Sequence, residues 1–417
     1  MVAAGGFALR AVFALAVAPD SLTHRGDPRF FHLAANLLAD GHGYIAPLPF
    51  LDHGSVIAST EHPPLWSALL AVFSAVGARS YAAHELLACA VGAGTVVCAG
   101  LLGRHVGGPR VGLIAACGVA VYPVFVAMDG SLMSEPPYAL TVAACLVLAF
   151  RMVERPSFRR AALLGVAIGL AALVRGEALG LLVVLLVPVL LQVPRGRRLA
   201  YAGIVVGVTV VVIAPWSIRN SVKMDKPLLV STEDGPVIAG ANCSFTYHGR
   251  DTGYWRSDCL PRGRRSRPDR NAAYRSERLR RAGLTYAGDH LGRLPAVLGV
   301  RLLRTFGIWQ PRRHVFFAEG RVLPGRSFAM VAVWIVLALG AAGAWTMRRR
   351  AGPLAILLAP VVLAVVTALI AFGYPRFRYA ADVSLIVMGA VLIDAALTAR
   401  RRQAAARPRR QLGWSRV

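Results

Sequence analysis

The sequence predicts an all-α membrane protein that crosses the bilayer many times, and three observations carry this prediction. Of its 417 residues, 56% are hydrophobic and only 16% are charged, with a mean hydropathy of +0.54, whereas soluble domains have about 25% charged residues. Apolar runs recur at lengths near the ~20 residues that a helix needs to cross the hydrocarbon core. The few charges are mostly arginine and cluster between those runs. These features exclude a soluble globular domain.

Eleven apolar runs can be traced, and ten of them are predicted to be spans. They lie near residues 3–19, 63–78, 84–103, 111–127, 135–153, 161–174, 178–193, 199–216, 327–346, 353–372 and 378–398. The run 63–78 is short, begins with two prolines and carries Trp66 near its start, so we read it as a re-entrant or interfacial helix on the outer side. The short runs 161–174 and 178–193 are read as a hairpin of two spans that turns outside. The alternative is that the two runs form one long buried pair of segments that bends at Gly176.

Basic clusters between the runs set the predicted orientation, because Lys and Arg in short loops remain in the cytoplasm. The clusters lie at residues 104–110, 151–160, 195–198, 348–350 and from 400 onward. All of them fall inside if the run 63–78 does not cross and the N-terminus is cytoplasmic. The predicted organisation is a transmembrane module 1–216 with a first outer loop 20–83, an extracytoplasmic loop module 217–326, transmembrane helices 327–398 and a basic cytoplasmic tail 399–417. The plasma membrane is the expected location.

The loop module 217–326 is polar and punctuated by Gly and Pro, which fits a small α/β or irregular unit. Its stretch Leu291–Trp309 is amphipathic enough to lie on the membrane. The basic stretch 262–281 lies outside in this topology, either as a solvated charge run or as a site for anionic lipid or wall polymer. Although the net charge is +26, a basic excess in a membrane protein marks cytoplasmic loops, so we predict no nucleic-acid partner.

Two of the six cysteines, Cys243 and Cys259, lie in the second outer loop. That compartment is oxidising in bacteria, so we predict a disulfide between them, with two unrelated thiols as the alternative. The other four lie in apolar runs and read as small buried hydrophobic residues. No CxxC pattern occurs, so we do not expect structural zinc, and no metal ligands are assigned.

Ionisable residues gather on the predicted outer face. Asp27 follows the first span and is suited to act as a general base, although it could instead cap the helix that starts at Pro28. Glu61 and His62 precede a proline-led helix whose positive end favours an anion, and His62 could donate to a phosphate. A plain turn with a helix cap is the alternative for this pair.

Six further candidates lie at span ends or outer turns: Glu135, Arg175, Glu177, Arg219, Arg376 and Arg378. Arg175 and Glu177 either serve the site or pair with each other or with headgroups. Arg219 is available for a phosphate or for lipid. Two arginines flanking Phe377 could clamp a phosphate bidentately, with snorkelling to anionic lipid as the alternative. Because the predicted topology places all nine candidate residues on one face, we predict a binding site there.

The order of these elements resembles the GT-C class of membrane glycosyltransferases, above all the protein O-mannosyltransferase and lipid A aminoarabinose transferase group. The resemblance covers nearly the whole chain. It rests on an Asp soon after the first span and on four motifs, which are Glu61-His62-Pro63-Pro64-Leu65, Met133-Ser134-Glu135, Pro215-Trp216-x-x-Arg219-Asn220 and Tyr374-x-Arg376-x-Arg378-Tyr379. It implies a GT-C-like bundle of about ten transmembrane helices with outer juxtamembrane helices.

The resemblance also implies an activity, namely inverting transfer of a sugar from a polyprenyl-phosphate donor to an acceptor hydroxyl at the outer face. Asp27 would be the catalytic base, and Arg376 and Arg378 would approach the lipid phosphate. Glu61 and His62 would bind substrate, with His62 where relatives often carry Lys. The expected partners are the lipid-linked donor, membrane lipids and an acceptor that is a glycan, a lipid or a protein. No cofactor is assigned, although Asp27 and Glu61 could share a divalent cation.

A transporter or flippase of a lipid-linked saccharide is the main alternative. Such a protein should carry ionisable residues within the membrane and interrupted paired helices, and neither is evident in the sequence. A structural scaffold would not need Asp, Glu and Arg residues converging on one face. The absence of a Gly-rich nucleotide loop disfavours a nucleotide-sugar donor. The sequence therefore favours the transferase.

Overall fold

The computed structural model describes residues 1–17, 26–260, 271–311 and 326–406. Within those ranges all regular structure is helical, apart from one antiparallel bridge between Ile45 and Ala58. The α-helices are α1 Val2–Val12, α2 Gly26–Ala39, α3 Pro47–His53, α4 Leu65–Ala75, α5 Tyr81–Gly107, α6 Pro109–Val121, α7 Pro123–Asp129, α8 Glu135–Glu154, α9 Phe158–Val174, α10 Leu181–Val184, α11 Leu186–Gln192, α12 Arg198–Met224, α13 Asp234–Ala241, α14 Ser244–Tyr247, α15 Ala272–Asp289, α16 Leu294–Thr305, α17 Arg326–Met347, α18 Ala351–Ile370 and α19 Tyr379–Ala406. The predicted all-α membrane fold class is confirmed for these residues.

Fewer helices qualify as spans than the ten predicted. In the described ranges, six are long and apolar enough to cross a membrane: Tyr81–Gly107, Glu135–Glu154, Arg195–Met224, Phe328–Met347, Ala351–Ile370 and Pro375–Gln403. The pair α6 and α7 makes a seventh if its 57° bend is counted as one span. Apolar runs of the right length do not reveal such breaks, because Pro123 and Gly176 interrupt helices without lowering the hydropathy of the run.

Small residues allow the spans to pack closely. Helices α5 and α6 touch at Gly103 and Gly112, where a Cβ on Gly103 would lie 2.8 Å from the Cα of Gly112. Close backbone approach at small residues is a common way for membrane helices to associate, because lipid supplies no hydrophobic drive between them. The main core then runs through α5, α6, α8, α9, α18 and α19. This bundle forms the platform on which the polar outer segments rest.

The bundle also contains ionisable groups, contrary to the sequence-based expectation. Arg10 is fully buried, pairs with Asp129 and donates to the backbone oxygens of Gly6, Val119 and Ala120. The hydroxyl of Tyr379 donates to Asp129 at 2.6 Å. Because Arg10 and Asp129 lie 119 residues apart in sequence, hydropathy alone could not show that each charge finds a partner.

The loop predicted to lie outside, residues 20–83, contributes three short helices, α2, α3 and α4. Helix α4 has 11 residues, which rise only ~16 Å and fall short of the ~30 Å hydrocarbon core. It packs against α2 through Trp66, Leu70 and Phe31, and the Trp66 ring nitrogen donates to the Leu132 carbonyl at 3.0 Å. The run 63–78 is thus shorter than a span, while the topology built on it stays a prediction.

The loop module is helical and irregular, without a strand in its described residues. Helices α13 and α15 pack at Gly235, which approaches the backbone of Ser276. Helix α16 lies within the predicted amphipathic stretch and turns Arg301 and Arg304 inward, where they donate to backbone oxygens of Ala241 and Thr252. The basic stretch 262–270 lies outside the described residues.

Cys243 and Cys259 form a disulfide in this module, with their Cα atoms 5.8 Å apart. Replacing both with Ser is expected to destabilise the module by about 3 kcal/mol, since the bond closes a loop of 16 residues and restricts the unfolded chain. Limited proteolysis within residues 243–259 should become faster. The control is Cys117→Ser, because Cys117 is an exposed free thiol. Alkylation of Cys243 and Cys259 in unreduced protein would contradict the disulfide.

Candidate active site

A carboxylate lies between two basic side chains, one a histidine and one an arginine, where the polar segments meet the helix bundle. Asp27 lies in the first turn of α2, where the positive end of the helix favours an anion. Its Oδ1 lies 3.6 Å from His62 Nε2, and its Oδ2 lies 3.7 Å from Arg376 Nη1. About a quarter of the Asp27 side chain is exposed. The three groups come from positions 27, 62 and 376, so only the fold brings them together.

Aromatic packing sets the position of His62. Its ring lies against Phe30 at 4.7 Å and against Phe31 at 5.0 Å, measured between ring centroids. Both phenylalanines belong to α2 and follow Asp27 by one turn. The helix therefore supplies both the carboxylate and the apolar wall on which the imidazole rests. With its ring held there, His62 keeps one nitrogen toward Asp27.

A second group of charges lies behind Arg376. Glu135, at the start of α8, is buried and its Oε1 lies 2.7 Å from Arg175 Nη1 and 3.6 Å from Arg376 Nε. Arg175 also donates to Glu177 at 2.5 Å. Its guanidinium lies over the rings of Tyr138 and Phe377. Arg175 is held in place by burial and by its ion pairs with Glu135 and Glu177. Glu135, fixed in this way, also contacts Arg376 and helps to position it.

Arg219 is placed differently from the prediction. Its guanidinium donates to the backbone oxygens of Ser59 and Tyr44 and lies over the rings of Tyr44 and Trp216. These contacts tie the first outer loop to the end of α12. The structure therefore gives Arg219 a positioning role, and a direct role in substrate binding is not supported.

Two other predicted residues also fall outside the central contact. Arg378 is buried, and its Nε donates to Asp382 at 2.6 Å while its Nη1 donates to the Thr305 carbonyl at 2.9 Å. Helical geometry turns Arg378 inward to pair with a residue four positions on, so its predicted contact with a phosphate stays a prediction that these contacts do not favour. Glu61 is exposed at the rim and stays a candidate for substrate contact.

Sequence reasoning missed Glu233, which ends the loop before α13. It occupies the N-cap position but makes no capping hydrogen bond. Burial raises its pKa to about 7, with Glu61 and Asp27 adding to the effect and His62 and Arg376 opposing it. Those four groups are the residues of the site, so Glu233 belongs to the same cluster. The only signal in the sequence was an acidic residue beside a helix start within the loop module.

Hydrogen bonds between two loops explain how Glu233 reaches the site. The Thr232 amide donates to the Thr60 carbonyl at 2.9 Å, and the two hydroxyls lie 3.2 Å apart. Just before them, the Val230 carbonyl accepts from Trp216 at 2.7 Å. The loop module is thereby fastened to the residues that precede His62. Glu61 and Glu233 each follow one of the bonded threonines.

The described residues contain no group of three or more His, Cys, Asp or Glu side chains arranged to hold a metal ion. Glu61 itself is exposed and makes no ion pair with another described residue. A divalent cation shared by Asp27 and Glu61 therefore stays a prediction without support from this geometry. A narrow cleft lined by Tyr138, Glu177, Leu363 and Phe377 lies beside Arg175, and its mostly apolar walls face the membrane bundle.

Comparisons with known proteins identify the fold. Residues 61–218 match the sequence profile of the dolichyl-phosphate-mannose-protein mannosyltransferase family. The oligosaccharyltransferase AglB from Archaeoglobus fulgidus, solved with an inhibitory peptide and a dolichol-phosphate, superposes with a TM-score of 0.56 at 16% identity over 98% of this chain and 52% of that one. An oligosaccharyltransferase from Archaeoglobus fulgidus tethered to an acceptor peptide superposes with a TM-score of 0.57 at 14% identity, over 98% of this chain and 50% of that one. The chain has the GT-C fold.

This GT-C chain spans about half the length of the Archaeoglobus fulgidus structures that it matches. ArnT from Cupriavidus metallidurans bound to undecaprenyl phosphate superposes with a TM-score of 0.46 at 15% identity, over 97% of this chain and 78% of that one. None of the curated protein sequences matches the chain. The profile match includes His62, Glu135 and Arg175, which the GT-C fold brings to its polar face.

Proposed function

We propose that the chain is an inverting glycosyltransferase that moves a sugar from a polyprenyl-phosphate donor to an acceptor hydroxyl at the outer face of the plasma membrane. The placement of the Asp27 carboxylate between His62 and Arg376 carries the proposal. A carboxylate can take the proton of a hydroxyl, and neighbouring cations can hold the charge of a leaving phosphate. The AglB complex with dolichol-phosphate supports a donor of this lipid class.

The reaction is a single displacement. The acceptor oxygen forms a bond to the anomeric carbon while its proton passes to Asp27. The bond from that carbon to the phosphate oxygen breaks, and its electron pair leaves with the polyprenyl phosphate. Arg376 and a hydrogen bond from His62 stabilise the charge that develops there. Inversion needs one base and no carboxylate nucleophile, which agrees with a single carboxylate between His62 and Arg376.

A transporter of a lipid-linked saccharide is the second candidate. The buried pair of Arg10 and Asp129 and the broken helix pair α6 and α7 are features of that class. However, Arg10 is held by Asp129 and by three backbone oxygens, which take four of its five N–H donors, and this suits a structural role. The transferase is therefore favoured.

Transfer of label tests the two functions directly. Purified protein would be supplied with polyprenyl-phosphate donors that carry radiolabelled hexoses and pentoses, together with membrane extracts as acceptors. We expect donor consumption and a labelled acceptor product. Movement of intact labelled donor across proteoliposomes, without any consumption, would support the transporter and reject the transferase.

Topology provides a separate test of the outer placement. A reporter tag inserted at Ser80, after α4, is expected outside the cytoplasm, because the run 63–78 is predicted not to cross. A tag at Ser157, between α8 and α9 in a basic loop, is the matched control and should report the cytoplasm. Labelling of intact cells by an impermeant reagent reads out both positions. A cytoplasmic Ser80 would contradict the topology and the outer-face site.

A further inference from the structure

Two tyrosine rings connect the loop module to the arginine of the site. The Arg376 guanidinium lies over the Tyr374 ring, with its Cζ 5.7 Å from the ring centroid. The Tyr374 ring meets the Tyr254 ring edge to face, with the two centroids 5.7 Å apart. At the far end, the Cζ of Arg304 lies 5.3 Å from the Tyr254 centroid. These four side chains form an aromatic row, in which every step lies within the ~6 Å over which cations and rings attract a ring.

The Arg304 end of the aromatic row is fixed within the module. Arg304 belongs to α16, is fully buried and donates to the backbone oxygens of Thr252 and Arg250, each at 2.7 Å. Both acceptors lie shortly before Tyr254 in one loop, which the disulfide of the module closes. Arg304 therefore holds the Tyr254 ring and also the backbone that carries it.

The same loop is bonded to the segment that carries Arg376. The Gly373 amide donates to the Gly253 carbonyl at 2.8 Å, and each glycine directly precedes one of the two tyrosines. Both glycines lie against Arg301, where a Cβ on Gly373 would come within 2.4 Å of the Arg301 carbonyl oxygen. Gly253 also has a φ of +75°, which favours glycine. This close backbone pairing sets the two rings beside each other.

The aromatic row adds a support to Arg376 on a side that its carboxylate neighbours do not cover. Arg376 lies 3.7 Å from Asp27 and 3.6 Å from Glu135, whereas charge-assisted hydrogen bonds are about 2.7–2.9 Å long. Contacts of the longer kind attract a guanidinium but define its orientation weakly. A ring face beneath it restricts the orientation further. A binding side chain that is ordered in advance loses less entropy when its ligand arrives.

We propose that Tyr254 is a positioning residue of the site, which acts through Tyr374 to hold Arg376 in place for the phosphate of the lipid donor. The inference rests on the proposed function. It gives the loop module a part in donor binding through a ring that lies outside the group of charged site residues. Because the aromatic row ends at Arg376, the effect of Tyr254 should fall on the donor and not on the acceptor.

Transfer kinetics of wild-type protein, Y254A and Y254F test the inference with radiolabelled polyprenyl-phosphate hexoses and pentoses. Y254A should lower kcat/KM for the donor by about three- to tenfold, the size of one aromatic ring contact, and leave the acceptor KM unchanged. Y254F keeps the ring and should restore most of the efficiency. Y254L, which keeps apolar bulk without a ring, replaces Y254A if that variant does not fold.

The matched control is Y286A. Tyr286 belongs to the same module, but its ring packs on Tyr247 and His290. Y286A should leave kcat/KM for the donor unchanged. An equal loss in Y286A and Y254A would show a general effect of module packing and would overturn the inference.

A double-mutant cycle with R376Q separates positioning of Arg376 from a merely structural role. If Tyr254 acts through Arg376, adding Y254A to R376Q should cause no further loss, because the guanidinium that it holds has been removed. Independent effects would instead multiply in the double variant. Multiplied losses contradict the inference.

Chemical modification of arginine separates the inference from the proposed function, because it needs no turnover. Phenylglyoxal would be added to purified wild type, Y254A and Y286A, and modification at Arg376 would be followed by peptide mass spectrometry. Arg376 should react several-fold faster in Y254A alone. An unchanged rate in Y254A overturns the inference, whatever the activity. A faster rate in Y254A, combined with a wild type that consumes no donor, rejects the proposed function alone.

Discussion

Replacing Asp27 with Asn is expected to lower kcat by about 10²- to 10⁴-fold, the range that a positioned general base contributes. The amide keeps the size of the side chain but cannot take the proton of the acceptor. Because Asp27 is partly exposed and its contacts with His62 and Arg376 are longer than 3.5 Å, folding should change little. Transfer assays at saturating donor, together with thermal unfolding in detergent, measure the two effects.

Asp40 provides the matched control for that substitution. It lies directly after the C-terminal end of α2 and pairs with Arg79 at 2.5 Å on the exposed surface. Ion pairs at such positions contribute little to stability. Asp40→Asn should therefore retain nearly full turnover. If Asp27→Asn also keeps full turnover, Asp27 is not the base. A loss of folded protein in Asp27→Asn would instead indicate a structural carboxylate.

Replacing Arg376 with Gln is expected to lower kcat/KM for the donor by about 10²- to 10³-fold, comparable to removing one donor that stabilises developing charge. Arg376 lies 3.7 Å from Asp27 and is partly exposed, so its guanidinium can meet a phosphate at the site. The protein should remain folded, because Arg175 still pairs with Glu135 at 2.7 Å. Donor titration of the folded variant gives the measurement.

Arg378 gives the contrasting result, although it lies only two residues further along the chain. Arg378→Gln leaves the buried Asp382 without its cation, which costs roughly 3–5 kcal/mol. The yield of folded protein should fall. Tyr122 donates to Asp382 at 3.1 Å, so its hydrogen bond would also be weakened. A folded Arg378→Gln variant with reduced donor binding would instead support the prediction that both arginines clamp phosphate.

The sequence predicted the class of fold and the face that carries the site, because both depend on simple patterns. Hydropathy marked the apolar runs, and the basic clusters set one orientation. These two patterns alone assigned Asp27, His62 and Arg376 to a common face. The structure adds that the three side chains meet there, which no local pattern could establish.

The missed features depend on contacts between distant segments. Glu233 becomes part of the site only because Thr232 bonds to Thr60, 172 residues away. Arg376 and Arg378 are alike in sequence. They differ in the direction of their side chains, because helical periodicity turns Arg378 toward Asp382. The helix breaks at Pro123 and Gly176 were hidden in apolar runs. Each error concerns direction or pairing, which composition does not encode.

The buried Arg10 has a consequence for biogenesis. Arg10 lies in the short apolar helix Val2–Val17. An arginine at the centre of a membrane helix costs about 2.5–3.5 kcal/mol on the scale of translocon insertion, and the partner of Arg10, Asp129, emerges from the ribosome 119 residues later. Tyr379, which completes the network, is synthesised near the end of the chain. We therefore expect the first helix to leave the translocon stably only after α7 has been made. Asp129→Asn should then reduce membrane integration of nascent chains, not merely the stability of finished protein.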